Sequence, residues 1–482
     1  MIGRRVFLGG ALSGLAGLAE AQALTRSIRP MPRGGRALAP EPLDAIFGAS
    51  GLREHTSFLV IDAGSGVVLE GQGAGRLRPP ASVAKVPTAL FARARLGAGS
   101  RRVTRLLATG PVINGRVQGD LILAGGGDPA LDTDGLADLA QAAAARGIFG
   151  VTGRFLVYDG ALPSLREIDP TQPEHVGYNP AIAGLNLNFN RVHFQWWRTG
   201  EGYRLAMTAR AKRFDPAVQG IGMRVVARDT PVFAYRSIEG RDDWSVARSA
   251  LGRTGSRWLP VRTPGAYAGE VFRTVAAQYN LRLPQQGRAR SAQGREVARV
   301  ESAALDPMLR ALLRYSTNLT AEAVGLAASG RGTLARSGGA MSSWLVNELG
   351  VAGTGFANHS GLSDESRTSP EQLVAMLASP QARAAMPDLL RAHPVAQEAG
   401  ARAPLEGVEV RAKTGTLNFT RALAGYIDTS ERRLIFAIQA AELDRRYQGP
   451  GRVSEAPRGA RSWANRAVAQ EQALLRRWAR LA

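Results

Sequence analysis

Two β-rich runs lie in the stretch from residue 57 to residue 72, SFLVIDAGSGVVLEGQ, on either side of Gly64-Ser65-Gly66. Runs of this kind around a glycine-containing turn predict a β-hairpin. The segment from Ser82 to about Leu96 consists mainly of residues that tolerate a helix. Because Pro87 lies inside this segment, we expect an irregular first turn or a kink. The first ordered elements are therefore predicted to be a hairpin and then a helix.

The hydrophobic pattern changes between about residues 101 and 290. Gly and Pro turns there separate β-type runs such as DLILAG, FLVYDG, LNLNFNRVHFQWW and VQGIGMRVVA. Helical character returns in DPMLRALLRYSTNLTAEAVGLAAS, a second hairpin pattern covers residues 410 to 442, and the chain closes on a helix ending EQALLRRWARLA. This order predicts an α/β (α+β) domain that is interrupted after its first helix by a mostly β insertion of one or two small domains.

The N-terminal sequence predicts export. It begins MIGRRVFLGGALSGLAGLAEAQA, with a paired Arg4-Arg5, a mildly apolar Gly-rich run and a small-x-small site at Ala21-Gln22-Ala23. These features indicate a signal of the twin-arginine type and a periplasmic protein. The run is too short and too rich in glycine to span a membrane, and no later stretch of about 20 apolar residues follows, so no transmembrane segment is expected. The predicted divisions are an export signal at 1–23, a flexible lead-in at 24–40, the first part of the main domain at 41–100, the insertion at 101–290 and the second part of the main domain at 291–482.

Length and charge narrow the classes of partner. A chain of 482 residues with 45% hydrophobic residues has enough apolar content for two or three domains. Its net charge of +21 favours contact with polyanions, which outside the cytoplasm means lipid headgroups or an acidic envelope polymer. No nucleic-acid partner is expected, because the arginines are dispersed and lack an RNA-binding aromatic motif or a recognition-helix pattern. The absence of cysteine excludes disulfides and thiolate metal sites.

Lysine is rare in this basic chain. Of 61 lysines and arginines, only Lys85, Lys212 and Lys413 are lysine. A buried lysine can lose its proton and act as a base, whereas arginine stays protonated. Lys212 lies in the basic run ARAKRFDP, which indicates a solvated face. Lys85 follows Ser82 by three positions, so that on a helix its amine can reach the serine hydroxyl as a base reaches a nucleophile.

Two further groups suit the same chemistry. Lys413 lies in RAKTGTLNF, whose β-rich flanks predict a strand, and Gly415 would let a substrate lie against the backbone. To act as a base, Lys85 needs burial and a second nearby cation to lower its pKa, and we expect Lys413 to be that cation. Ser316 and Asn318 form a Ser-Thr-Asn triplet that can present both side chains to one cavity. Taken singly, these residues are equally consistent with a helix cap at Ser82, a turn or cap residue at Asn318 and a strand-edge charge at Lys413.

Together the three groups resemble the active-site motifs of penicillin-binding proteins and serine β-lactamases. The long separation between the first two motifs is similar to that of the class C low-molecular-mass penicillin-binding proteins, the D-Ala-D-Ala carboxypeptidase/endopeptidase family, which carry domains inserted there. The motifs are Ser82-Val83-Ala84-Lys85, Ser316-Thr317-Asn318 and Lys413-Thr414-Gly415. Further similar stretches are LILAGGGDPAL, GYNPAIAGLNLNFN, SGLS and LAGYIDT.

The resemblance implies a β-lactamase/transpeptidase-like fold and a serine DD-peptidase that acts on peptidoglycan stem peptides and is acylated by β-lactams. It requires neither a metal nor a cofactor. It implies that Ser82 is the nucleophile, Lys85 its base, Ser316 a proton relay, Asn318 a group holding the acyl side, and that Lys413, Thr414 and Thr416 bind the terminal carboxylate beside Gly415. The backbone N–H groups of Ser82 and Thr416 are implied to form the oxyanion hole.

The chain departs from the family pattern around SGLS. Family members commonly have Asp-Gly before it and a basic residue after it, where this chain has Asn358-His359 and Asp364. Asp364 would lie near the substrate side chain, so the sequence does not determine which stem peptide is preferred. His359 is interpreted as a loop or packing residue, since a serine–lysine mechanism needs no imidazole.

Two alternatives to a DD-peptidase remain. One is a catalytically silent protein that binds peptidoglycan or a partner on the same fold, although a binder has no need of a serine–lysine pair. The other is a β-lactamase or esterase, against which the long insertion and the lack of a deacylating glutamate motif argue. The final helix is expected to dock its apolar face, which includes Leu474 and Trp478, on the sheet; weak association with a membrane surface is the alternative.

Overall fold

The computed structural model describes residues 40–400, 403–447 and 455–481. The predicted export signal and lead-in therefore lie outside the described residues, apart from Pro40. The α-helices are α1 (Leu43–Ser50), α2 (Lys85–Leu96), α3 (Thr133–Ala145), α4 (Pro264–Ala276), α5 (Leu305–Tyr315), α6 (Asn318–Ser329), α7 (Leu334–Leu349), α8 (Pro370–Ala378), α9 (Pro380–Leu389), α10 (Leu443–Arg446) and α11 (Ala460–Leu481).

The strands up to residue 226 are β1 (Thr56–Asp62), β2 (Val68–Gln72), β3 (Val103–Ala108), β4 (Val112–Ile113), β5 (Arg116–Val117), β6 (Leu121–Ala124), β7 (Gly150–Val151), β8 (Phe155–Tyr158), β9 (Arg191–Arg198), β10 (Tyr203–Thr208) and β11 (Ile221–Val226). The later strands are β12 (Phe233–Ile238), β13 (Arg241–Ala247), β14 (Thr254–Pro260), β15 (Gln286–Arg288), β16 (Arg295–Glu301), β17 (Arg391–Ala392), β18 (Glu409–Leu417), β19 (Thr420–Asp428) and β20 (Arg433–Ala441).

A six-stranded antiparallel sheet forms the centre of the main domain, in the order β17-β18-β19-β20-β1-β2. Both predicted hairpins are present in it, as β1–β2 and as β18–β19. Strand β20 is buried along almost its whole length, because it lies between two strands and is covered on both faces. This explains why RLIFAIQAA is a nearly continuous apolar run rather than an alternating one.

Helices cover both faces of this sheet. On one face, α1 and α11 pack against the sheet, and Leu474, Leu475 and Trp478 are fully buried there. On the other face, α2 and α5 to α9 pack against β1, β19 and β20. The final helix therefore docks on the sheet, as expected. No helix among the described residues is both long enough and apolar enough to cross a bilayer.

The region between α2 and α5 contains most of the remaining strands. It includes a five-stranded sheet (β15-β8-β6-β3-β16) and three-stranded sheets of orders β10-β9-β14, β11-β13-β12 and β4-β5-β7. It has a hydrophobic core of its own, distinct from those of the main sheet. It also contains helices α3 and α4, which the sequence analysis did not specify. Leu136, Leu139, Ala140 and Ala143 form the buried face of α3.

Candidate active site

Ser82 lies in a 3₁₀ turn, Ala81–Ala84, that leads directly into α2. This turn is the irregular helix start that the sequence predicts. Pro87 does not break α2, because it lies in the first turn, where the missing N–H group has no intrahelical partner. Lys85 is the first residue of α2, and its Nζ donates a hydrogen bond to the Oγ of Ser82 over 2.9 Å.

The ammonium group of Lys85 makes three hydrogen bonds. Besides Ser82 Oγ, its Nζ donates to Asn318 Oδ1 at 2.8 Å and to the carbonyl oxygen of Ser360 at 2.7 Å. Of these three contacting oxygen atoms, only Ser82 Oγ carries a hydrogen that it can donate. When Lys85 loses a proton, its lone pair therefore finds a donor only at the Ser82 hydroxyl. In this geometry a neutral Lys85 can accept a hydrogen bond from that hydroxyl.

Burial favours the neutral form of Lys85. Its side chain is fully buried, and this burial lowers the pKa of the ammonium to about 7. The charge of Glu322 acts in the opposite direction and raises the pKa of Lys85. The sequence predicted both the direction of this shift and burial as a cause of it, whereas Lys413, the expected second cation, is not among its causes.

Glu322 is a functional candidate that the sequence analysis missed. It is completely buried one helical turn after Asn318, and its carboxylate accepts hydrogen bonds from the backbone N–H groups of His359, at 3.0 Å, and Ser360, at 2.8 Å. It thereby fixes the segment whose Ser360 carbonyl receives the Lys85 hydrogen bond. A buried carboxylate within an apolar helix was the available signal.

Ser316 and Lys413 form a second pair. Ser316 is the C-cap residue directly after α5, with φ 59° and ψ 36° in the left-handed region, and Asn318 begins α6. Such a conformation is uncommon for a residue other than glycine, and it is found at functional sites more often than elsewhere. Lys413 Nζ donates to Ser316 Oγ at 3.0 Å and to the Thr414 carbonyl oxygen at 2.5 Å.

Lys413 is almost completely buried in β18. Burial, followed by the nearby charges of Lys85, Arg391 and Arg421, lowers the pKa of Lys413 well below its usual value. A carboxylate that entered the site would act in the opposite direction, since a negative partner favours the ammonium form. Because the charge of Lys85 is one cause of the lowered Lys413 pKa, the two lysines are electrostatically coupled.

The backbone of Gly415 lies directly against the serine turn. A Cβ atom at this position would be 2.9 Å from Ser82 N, 2.9 Å from Pro80 O and 3.0 Å from Ala81 Cβ. Such distances are shorter than ordinary contacts with a side chain, and two of the three atoms belong to the backbone. Glycine is therefore required for β18 to approach the turn that holds Ser82.

A cleft of about 420 Å³ lies between the first two motifs and the residues that directly follow the third. Its lining includes Ser82, Ser316, Asn318 and Thr416, and also groups that the sequence analysis did not identify: Gln172, Tyr178, Arg446, Glu455 and Arg461. Asn318 Nδ2 donates to the Tyr178 carbonyl oxygen at 2.9 Å, so the 101–290 region contributes to this cleft. A larger cavity, about 660 Å³, lies within that region, but it includes none of the motif residues.

The residues around SGLS have partners that the sequence does not reveal. Asp364 forms an ion pair with the buried Arg446, whose Nε is 2.9 Å from Asp364 Oδ1, so a cation balances this unusual acidic residue. His359 is fully buried, with Nε2 2.6 Å from Ser337 Oγ, and it stacks on Phe91. Burial lowers the pKa of His359 to about 3, so its imidazole is neutral.

Comparison with known proteins places the chain in a family. The model of the D-Ala-D-Ala carboxypeptidase 3 (S13) family matches residues 41–452. The chain belongs to this serine peptidase family. A D-alanyl-D-alanine carboxypeptidase from Actinomadura sp. (strain R39) is 29% identical to it over 443 residues, which cover 83% of this chain and 80% of that protein.

Solved structures agree on the fold of this S13 family member. Penicillin binding protein 4 from Haemophilus influenzae has a TM-score of 0.69 at 18% identity, covering 89% of this chain and 98% of that one. The same protein in complex with a β-lactam has a TM-score of 0.67 at 18% identity, covering 88% and 98%. The predicted family, fold class and enzyme class, a D-Ala-D-Ala carboxypeptidase, are confirmed.

Proposed function

We propose that this S13 peptidase cleaves D-Ala-D-Ala bonds, and related DD-cross-links, of peptidoglycan stem peptides through an acyl-enzyme on Ser82. The observation that carries the proposal is the contact set of Lys85, in which only the Ser82 hydroxyl can donate to a neutral amine. A catalytically silent binding protein has no use for a fully buried lysine held in this way.

In the proposed acylation, Ser82 Oγ attacks the carbonyl carbon of the penultimate D-Ala while the hydroxyl proton passes to Lys85 Nζ. The backbone N–H groups of Ser82 and Thr416 stabilise the oxyanion. The carbon–nitrogen bond then breaks, and the leaving amine receives a proton through the Ser316 hydroxyl. Water hydrolyses the ester, which releases the shortened peptide as a carboxylic acid and restores the Ser82 hydroxyl.

The proposed substrate-binding groups lie on β18 and α6. The terminal carboxylate is held by Lys413, Thr414 and Thr416. As this carboxylate enters, its negative charge stabilises the ammonium form of Lys413. Asn318 is fixed by Lys85 and by the Tyr178 carbonyl, so its amide is preorganised to hold the acyl portion of the substrate.

We further propose that β-lactams acylate Ser82, because their reactive carbonyl and carboxylate match the same two subsites.

Export by the twin-arginine signal at 1–23 would bring the enzyme to peptidoglycan in the periplasm. The domain boundaries 41–100, 101–290 and 291–482 stay predictions; a separate core supports an inserted unit, but this core extends to Val297 and Ala298, past the predicted end at 290.

Turnover assays distinguish the proposal from its alternatives. The purified mature protein is incubated with a stem pentapeptide ending in D-Ala-D-Ala, with a DD-cross-linked muropeptide dimer and with a chromogenic cephalosporin, and products are followed by liquid chromatography and mass spectrometry. We expect release of D-Ala or of monomers, with slow cephalosporin turnover. Fast cephalosporin turnover without peptide cleavage would establish a β-lactamase, and no turnover of any of the three would favour the silent binding protein.

Gly415→Ala is expected to lower the rate constant of Ser82 acylation. The added methyl would press on Ser82 N and Pro80 O, and so displace the backbone that forms the proposed oxyanion hole. Loss of one oxyanion donor lowers kcat by about 10²- to 10³-fold. Stopped-flow acylation with a reporter β-lactam measures this, with Gly339→Ala, which has open space around its Cβ position, as the matched control. Equal rates for Gly415→Ala and wild type would contradict the close-approach argument.

Glu322→Gln is expected to shift the pH dependence of acylation toward lower pH. The charge of Glu322 raises the pKa of Lys85 from below its present value of about 7, so neutralising that charge lowers this pKa further. Since the neutral amine is the active form, the rise of kcat/KM with pH then occurs at lower pH. A pH profile with a D-Ala-D-Ala peptide, together with a thermal melt to verify folding, tests this. A shift to higher pH would show that Glu322 acts in another way.

A further inference from the structure

Arg421 makes a contact with the candidate substrate cleft that the motifs do not account for. Thr416 and Arg421 are directly opposite each other in the antiparallel pair of β18 and β19, so their side chains share one face of the sheet. Arg421 Nη1 donates a hydrogen bond to Thr416 Oγ1 at 2.7 Å. Thr416 is exposed and lines the cleft.

Arg421 is held rigidly by a buried carboxylate. Its Nε lies 2.9 Å from each carboxylate oxygen of Glu471 in α11, and the Glu471 side chain is only 2% exposed. The Arg421 side chain itself is 13% exposed. A planar guanidinium can donate to a carboxylate through one nitrogen and to a second group through another nitrogen. Lysine has a single nitrogen and cannot make both contacts in the same geometry.

The direction of this hydrogen bond determines what Thr416 can do. Because the guanidinium can only donate, the threonine oxygen accepts, and its own hydrogen is left for another partner. No other hydrogen bond to the Thr416 hydroxyl is present among the residues that the structure describes. Arg421 is also one of the charges that lower the pKa of Lys413, so its positive charge reaches the proposed carboxylate subsite.

We infer that Arg421 is a positioning residue that determines specificity for substrates with a free terminal carboxylate. It fixes the Thr416 hydroxyl as a donor toward the cleft and adds positive charge behind it, while Glu471 holds the guanidinium in place. This inference rests on the proposed function, in which Thr416 binds the carboxylate.

The test measures kcat/KM for a D-Ala-D-Ala peptide and for the same peptide with a terminal carboxamide. The ratio of the two values reports discrimination for the carboxylate. Arg421→Lys removes a charge-assisted hydrogen bond to Thr416. We therefore expect it to lower this ratio by about tenfold or more, mainly by raising KM for the free acid. Arg433→Lys is the matched control: Arg433 lies on β20, is exposed and pairs with Asp428, and its replacement should leave the ratio unchanged.

A double-mutant cycle separates positioning from a general structural effect. If Arg421 acts through the Thr416 hydroxyl, Arg421→Lys has little further effect on the ratio in a Thr416→Val background. The double variant Arg421→Gln/Glu471→Gln removes both buried charges together, which avoids an unpaired Glu471, and we expect it to lose the same discrimination.

The outcomes are distinct. A fall in the ratio with Arg421→Lys that disappears in the Thr416→Val background supports the inference. An unchanged ratio, or equal effects in both backgrounds, overturns it while leaving the proposed function standing. Failure of the wild-type enzyme to hydrolyse either peptide overturns the proposed function and this inference with it.

Discussion

Ser82→Ala is expected to abolish hydrolysis of a D-Ala-D-Ala peptide, with kcat falling by about 10⁶-fold, as when a serine nucleophile is removed from another hydrolase. Without Oγ no ester can form, and Lys85 has no hydroxyl from which to take a proton. The variant should fold normally, because Ser82 is only half-buried and its side chain is small. The measurement is release of D-Ala by the mature enzyme over long incubation.

Ser256→Ala is the control for this variant, since Ser256 lies exposed on β14, in the 101–290 region. It should retain the wild-type rate. Residual hydrolysis by Ser82→Ala above about one part in 10⁴ would point to another nucleophile, because a single lost nucleophile leaves far less activity.

Lys85→Met should lower kcat/KM by about 10²- to 10⁴-fold, the usual contribution of general base catalysis. Methionine fills a similar buried volume without a titratable group, but it leaves Asn318 Oδ1 and the Ser360 carbonyl without their donor. We therefore also expect the free energy of unfolding to fall by about 1–3 kcal/mol. Lys212→Met, which replaces the lysine interpreted as part of a solvated face, is the matched control and should change neither quantity.

The pH profile adds a signature that a folding defect does not produce. With a Lys85 pKa of about 7, the wild-type kcat/KM should increase as pH rises through 7, because the neutral amine is the base. Lys85→Met should lose this increase. A profile that keeps the wild-type rise in the methionine variant would show that another group controls the proton transfer.

Much of the site could be predicted because its parts are local in the sequence. Ser82 and Lys85 are three positions apart at a helix start, and Ser316 and Asn318 flank one turn. The β-rich flanks of Lys413 indicated a strand. Each of these relations depends on short-range geometry, so a single sequence is sufficient to propose it.

The rest depends on contacts between distant segments. Glu471 and Arg421 meet only because α11 packs on the sheet, and Arg446 meets Asp364 because the segment after β20 passes the SGLS loop. Nothing in the local sequence pairs these charges. Burial could be named in advance as a cause of the Lys85 pKa shift, but how far burial outweighs the neighbouring charges is a property of the packed structure.

The helices of the 101–290 region were missed for a different reason. Its β-type runs dominated the interpretation, although the spacing of Leu136, Leu139, Ala140 and Ala143 in α3 follows a helical period. Tyr178 lay in a recognised stretch, but its position in the cleft depends on how that region meets α6.

The central claim is that Ser82 is the acylated nucleophile. It is tested most directly by intact mass measurement of the mature protein after incubation with benzylpenicillin, followed by proteolysis and mapping of the modified peptide. We predict one penicilloyl adduct on the peptide that contains Ser82, and none on Ser82→Ala. An adduct that persists in Ser82→Ala, or no adduct on folded wild-type protein that also does not turn over the antibiotic, would contradict it.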